Sequence, residues 1–127
     1  MTYFDTLFGR VVDAIKDAGE WDNTIVIVSS DNGYHLGENG MWGKATLFEE
    51  SARVPLIIRA PGGTQPGTRS AALVEMVDVY PTLCDLCSLD QPHAMHGRTL
   101  RPVMTDPSQD IREAAYTVLI GSPERQR

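Results

Sequence analysis

The 127-residue sequence predicts an α/β domain, or part of a larger one. Three stretches carry this prediction. Residues 2–18 repeat apolar side chains at three- and four-residue steps. Residues 24–28 are a continuous β-branched run, and residues 53–59 form a second apolar run that begins beside a proline.

In the first element, Phe4, Leu7, Phe8, Val11 and Ile15 share one helical face, with Thr2 as N-cap and Gly19 as the stop. A helix of this kind needs a partner surface, and the strand at 24–28 is predicted to supply it. Thr24-Ile25-Val26-Ile27-Val28 reads as a strand buried on both faces, the usual state in a parallel sheet. The link of residues 17–23 is short, as in αβ units. Residues 30–46 form a loop long enough to suggest function. A short helix is predicted over 46–52 with Thr46 as its cap, and a second strand over 53–59, where Pro55 sits near the start and its missing N–H is tolerable. Ala60-Pro61-Gly62-Gly63 is a turn and the polar stretch to Ser70 a loop. Residues 71–77 read as a third, edge-like strand. Asp78 reads as the N-cap of a helix over 79–87, with Pro81 in its first turn. Residues 89–97 are irregular, 99–104 one helical turn, and 114–120 β-prone. The tail 121–127 has no pattern and is expected to fray.

Composition excludes several classes. The net charge is −6 with acids and bases interspersed, so there is no basic stripe for nucleic acid and no acidic tail. The apolar fraction of 42% is enough for a core, yet no apolar run approaches a membrane span. The opening Met1-Thr2-Tyr3-Phe4-Asp5 lacks the basic start of a signal peptide. Two cysteines make no disulfide framework. Cys84 and Cys87 have C-x-x-C spacing but fall inside a predicted helix, where buried, apolar thiols are the simpler reading.

The candidate chemistry gathers after the first strand, in Ser29-Ser30-Asp31-Asn32-Gly33-Tyr34-His35-Leu36-Gly37-Glu38-Asn39-Gly40-Met41-Trp42-Gly43-Lys44. In open α/β sheets ligands bind at the carboxyl ends of strands. Asp31 and Asn32 offer two hard oxygens suited to calcium or magnesium, although Asp-Asn-Gly is also an ordinary turn sequence. Lys44 can meet an anion as a compact point charge, or can be a solvated surface lysine. His35 can donate to a substrate oxygen or act as an acid or base, or can be a structural hydrogen-bonder. Glu38 can pin the loop. The loop is not a phosphate-binding Walker loop, because its first glycine would fall at Glu38 and Ala45 replaces the hydroxyl residue. Asp90, His93 and His96 lack a fourth metal ligand, and no G-x-S-x-G nucleophile elbow occurs.

The run from Ile25 to Lys44, together with Phe48-Glu49, Arg53-Val54-Pro55-Leu56-Ile57 and Ala60-Pro61-Gly62, resembles the sulfatases of the alkaline phosphatase superfamily, and most of all the iduronate-2-sulfatase-like branch. Val77-Asp78-Val79-Tyr80-Pro81-Thr82-Leu83 and Gly97-Arg98-Thr99-Leu100 resemble the next stretch of those enzymes, so the likeness covers about residues 3–107. The resemblance implies part of a large alkaline-phosphatase-like sheet with flanking helices, one partial sulfatase domain over 1–127. It implies that Asp31 and Asn32 complete the ligand set of a divalent cation, commonly calcium with magnesium the alternative. It implies that Lys44 contacts the sulfate group and that His35 lies in the pocket-lining loop. The substrate implied is a sulfated small molecule or glycan, and relatives are mostly periplasmic, secreted or lysosomal.

The same resemblance exposes what is missing. The family nucleophile is a formylglycine made from Cys or Ser in C/S-x-P-x-R, in an N-terminal half with two further acidic ligands. Neither cysteine here has a proline two residues on, and Gly121-Ser122-Pro123-Glu124-Arg125 has glycine at the nucleophile position. The chain is therefore expected to be a C-terminal portion, truncated on its N-terminal side and inactive alone, with an exposed sheet edge through which it could self-associate. A phosphodiesterase or phosphonate hydrolase of the same superfamily, and a non-catalytic binding domain, are the alternatives.

Overall fold

The computed structural model describes residues 2–62 and 66–119; the expected fraying tail lies outside them. Helix α1 spans Thr2–Asp17. It ends at Gly19, whose φ of 74° suits a residue without a Cβ, and Glu20 N donates back to Ile15 O at 3.1 Å. A single 3-10 turn, Trp21–Asn23, leads into strand β1, Val26–Ser29. Trp21 is the hub of this link. Lys16 of α1 lies 5.1 Å from its ring centroid, and the Arg59 guanidinium stacks at 4.2 Å from the other chain segment. Arg59 also donates to the carbonyls of Trp21 and Thr24 and to Asp22 Oδ1, so one side chain fastens the whole turn.

Strand β4, Leu56–Arg59, pairs antiparallel with β1, Val26 opposite Arg59 and Ser29 opposite Leu56. The expectation of a strand buried on both faces in a parallel sheet is thus corrected: β1 is half-buried throughout and its one partner among the described residues is antiparallel. A β-branched run encodes a strand, but the direction of its neighbour is set by how the chain returns. Between the two strands lie a small hairpin, β2 (His35–Leu36) with β3 (Trp42–Gly43), and helix α2, Glu49–Ala52. Helix α2 begins after Phe48, later than the expected Thr46 cap, although Thr46 Oγ1 does accept from Phe48 N at 3.4 Å.

Helix α1 carries another correction. None of its residues is buried, and Tyr3, Phe4 and Val11 are 78%, 62% and 58% exposed. The apolar face predicted to lie on the strand is open, with Phe4 and Phe8 stacked on one another at 6.2 Å.

The packed core lies in the second half. Helix α3 is Val79–Leu86 and helix α4 Arg101–Thr105. Cys84, Leu100 and Val103 are buried between them with Pro81 and Thr82. Thr82 Oγ1 donates to Asp78 O and accepts from Leu100 N, which fixes α4 against α3. Gly97 is required by contact: a Cβ there would stand 2.0 Å from Val77 O. Asp78 is fully buried but does not cap α3 with its side chain. Its carboxylate instead accepts from Glu75 N and Arg98 N, both at 2.8 Å, and pairs with Arg112. Asp78 has helical φ and ψ because a 3-10 turn over Met76–Asp78 runs straight into α3, so the carboxylate closes the capping box of that turn.

Residues 71–75 form no strand, because Ala72 N and Glu75 N are taken by the side chains of Ser70 and Asp78. Residues 114–119 form none either; Tyr116 N donates to Glu75 Oε1 at 2.5 Å. Of the two cysteines, both free thiols, Cys84 is buried as expected and Cys87 is exposed.

Candidate functional site

The candidate residues sit where β1 ends. Ser29 Oγ donates to Pro55 O at 2.8 Å, holding the strand end to the β4 side. Ser30 Oγ then donates to Asn32 O at 2.7 Å and turns the chain. Asp31 is exposed at the tip of this turn, and Asn32 is half-buried beside it. Gly33 is next, with its N–H on Ser51 O at 2.9 Å, so close to α2 that a Cβ would meet Glu50 O at 2.0 Å.

The hairpin carries the other residues. His35 pairs with Gly43 and Leu36 with Trp42. Lys44 is the next residue, exposed, one step beyond the partner of His35. The tip is shaped by Gly37 and Gly40, at φ of 120° and 69°, and by Asn39 at 56°. Glu38 does pin the loop, its carboxylate accepting from Leu36 N at 2.5 Å. This bond and its own backbone N–H hold the Glu38 carboxyl below the usual glutamate range.

His35 is fully buried. Its Nε2 lies 2.8 Å from Thr46 Oγ1, Thr46 Oγ1 lies 2.8 Å from Ser51 Oγ, and Phe48 meets the ring edge-on at 6.0 Å. Within this chain the ring offers no surface to a substrate atom. Thr46 and Ser51, neither singled out as site residues from sequence, hold it in place. Thr46 stood out only as a helix cap, and nothing in the local sequence marks Ser51.

The hairpin register thus brings His35 and Lys44 to one corner, and the Gly33–Ser51 bond brings the Asp31–Asn32 turn against the same α2. The donors fit a hard cation in kind: a carboxylate and an amide oxygen. In number they are two of the six to eight oxygens calcium takes, and no group of three or more His, Cys, Asp or Glu gathers among the described residues. Asp90, His93 and His96 form no such cluster. Two clefts, of about 800 and 650 Å³, open elsewhere, beside Arg98 and Arg112 and between β4 and α4. Neither is lined by Asp31, Asn32 or Lys44.

Comparison with known proteins gives this face a context. The family model described as Sulfatase matches residues 1–89. An N-acetylglucosamine-6-O-sulfatase of Bacteroides thetaiotaomicron is 38% identical over 115 residues, 88% of this chain and 21% of that protein. Human iduronate 2-sulfatase is 34% identical over 116 residues, covering 72% of this chain and 21% of the relative. Among solved structures, one in complex with its substrate D-glucosamine-2-N,6-O-disulfate superposes with a TM-score of 0.83 at 36% identity, over 91% of this chain and 24% of that one. A phosphonate monoester hydrolase from Silicibacter pomeroyi gives 0.76 at 40% identity, over 83% and 21%. The chain spans about a fifth of the length of the curated relatives it matches.

Proposed function

The chain belongs to the sulfatase family, of alkaline-phosphatase-like fold, and from that premise we propose that it is the part of a sulfuric ester hydrolase that helps hold a divalent cation and the sulfate group. In this reading Asp31 and Asn32 contribute two oxygen ligands and Lys44 an ammonium for the sulfate oxygens. The observation that carries it is the exposure of Asp31 and Lys44, with Asn32 half-buried, on a turn and hairpin that hydrogen bonds hold to α2.

A cation bound there supplies charge stabilisation for the sulfate oxygens, calcium being the first choice and magnesium the second. Lys44 acts as a point charge with three donors and no requirement for a fixed plane. The substrate class is a sulfated sugar or other small sulfate ester, as in the disulfated glucosamine complex of the structural relative. The nucleophile is expected outside these 127 residues, since no C/S-x-P-x-R occurs in them. The chain alone should therefore turn over no sulfate ester.

Isothermal titration with calcium tests the ligand assignment. Weak binding is expected, in about the millimolar range for so few ligands, and Asp31→Ala should abolish it. Equal binding by both proteins would overturn the assignment. Incubation with an aryl sulfate and calcium should give no product, and clear turnover would overturn the claim that the chain is inactive alone. The phosphonate monoester hydrolase likeness favours a second reading, phosphonate or phosphodiester hydrolysis at the same face. Inorganic phosphate binding at Lys44 more tightly than inorganic sulfate would favour it.

A further inference from the structure

The ring of His35 is enclosed, and its two nitrogens are unequal. Nε2 has Thr46 Oγ1 at 2.8 Å, whereas Nδ1 is buried with no hydrogen-bond partner among the described residues. Thr46 Oγ1 and Ser51 Oγ lie 2.8 Å apart, in a bond that either hydroxyl can donate, and Phe48 N donates to Thr46 Oγ1 at 3.4 Å. With no acceptor for Nδ1 among the described residues, the proton of the ring belongs on Nε2, where Thr46 Oγ1 can accept it. The reverse arrangement would leave Nδ1–H as a buried donor with no acceptor, a rarer state in folded proteins than an under-used acceptor.

Ser51 and Thr46 reach further. Ser51 O accepts from Gly33 N at 2.9 Å, next to Asn32, and Thr46 N donates to Lys44 O at 2.9 Å. A continuous path therefore runs from the Asp31–Asn32 turn through Gly33, Ser51 and Thr46 to the backbone of Lys44, with the His35 ring behind it and Gly43, its strand partner, beside Lys44. We propose that His35 is a positioning residue: with its proton on Nε2 it fixes, through Thr46 and Ser51, the spacing between the Asp31–Asn32 turn and Lys44. The functional part of this inference rests on the cation and sulfate reading above; the tautomer and the linkage do not.

The test uses the full 127-residue chain, labelled with ¹⁵N. Long-range proton–nitrogen spectra should show His35 with Nε2 protonated and Nδ1 bare. Thr46→Val should lose that pattern, speed amide exchange at Gly33 by about fivefold or more, and weaken calcium binding about tenfold, the usual scale for removing a partner behind a ligand. Thr46→Ser, which keeps the hydroxyl, should restore all three. A wild-type ring protonated at Nδ1, or a Thr46→Ser protein no better than Thr46→Val, would overturn the proposal, and the wild-type spectrum decides the first point even where Thr46→Val does not fold. If wild type binds no calcium while the tautomer and exchange results hold, the cation reading fails and the linkage stands.

Discussion

Gly33 shows how one residue type can be dictated by contact alone. Its backbone N–H bonds Ser51 O, and a methyl group at its Cα would overlap Glu50 O at 2.0 Å. Gly33→Ala must push α2 and the Asp31–Asn32 turn apart. We expect a cost of about 1–3 kcal/mol, the range for overpacking, read as a lower denaturation midpoint together with loss of amide protection at Gly33. Asp78 is the corresponding residue of the second half. Burial raises its carboxyl above the usual aspartate range, against the pull of the Arg98 N–H and charge. The same carboxylate holds Glu75 N, Arg98 N and Arg112. Asp78→Ala takes the acceptor from Glu75 N and Arg98 N and leaves Arg112, whose side chain is only 9% exposed, with Glu75 as its remaining ion pair, and should cost about 1–3 kcal/mol. Circular dichroism in urea would measure this. A loss below about 1 kcal/mol would show that the ion pair is not what holds the segment.

The join of α3 to α4 sets a dependence on pH. Thr99 Oγ1 donates to Asp85 Oδ2 at 2.7 Å and Arg101 Nη1 to Oδ1 at 2.8 Å, and these bonds hold the Asp85 carboxyl below its usual value of 3.8. A carboxyl whose pKa is lower in the folded chain binds fewer protons there than when unfolded. Its stabilisation is complete above pH 3.8 and drains away as the pH falls below that value through the lowered pKa. Glu38 and Asp106, also lowered by hydrogen bonds, act in the same direction. Thermal melts of wild type should show stability dropping below about pH 4, with a shallower drop in Asp85→Asn. An unchanged slope would show that Asp85 is not among the groups responsible. The helix itself was legible from Asp78 and Pro81 in the sequence, but its linkage to Thr99 and Arg101 spans 14 and 16 residues and has no periodic signature.

On the scale of the whole molecule, burial is uneven. The described core holds four buried apolar side chains, Pro81, Cys84, Leu100 and Val103, while Tyr3, Phe4, Val11, Leu36, Trp42 and Ile57 are all more than half exposed. A contiguous apolar stripe on α1 is a surface that water disfavours. The chain should therefore self-associate as its concentration rises, and Phe4→Glu with Val11→Lys should reduce this without moving the α3–α4 core. Sedimentation velocity across a concentration series measures it; a monomer at every concentration would remove the argument.

By itself the sequence determined the places of α1, β1, α3 and the short α4, because helical period, β-branched runs and proline or glycine punctuation are local properties. It also carried the family likeness, since Ser30 to Lys44 is one continuous run of spaced residues. The tertiary structure decided the antiparallel partner of β1, the open face of α1, the conversion of Asp78 from helix cap to ion-pair centre, and the absence of strands at 71–75 and 114–119. It alone brought Ser51 to Gly33 and Thr46 to His35. Each of these depends on a partner distant along the chain. Local preference says what conformation a segment favours, but the fate of its hydrogen bonds and apolar surface is settled only by what folds against it.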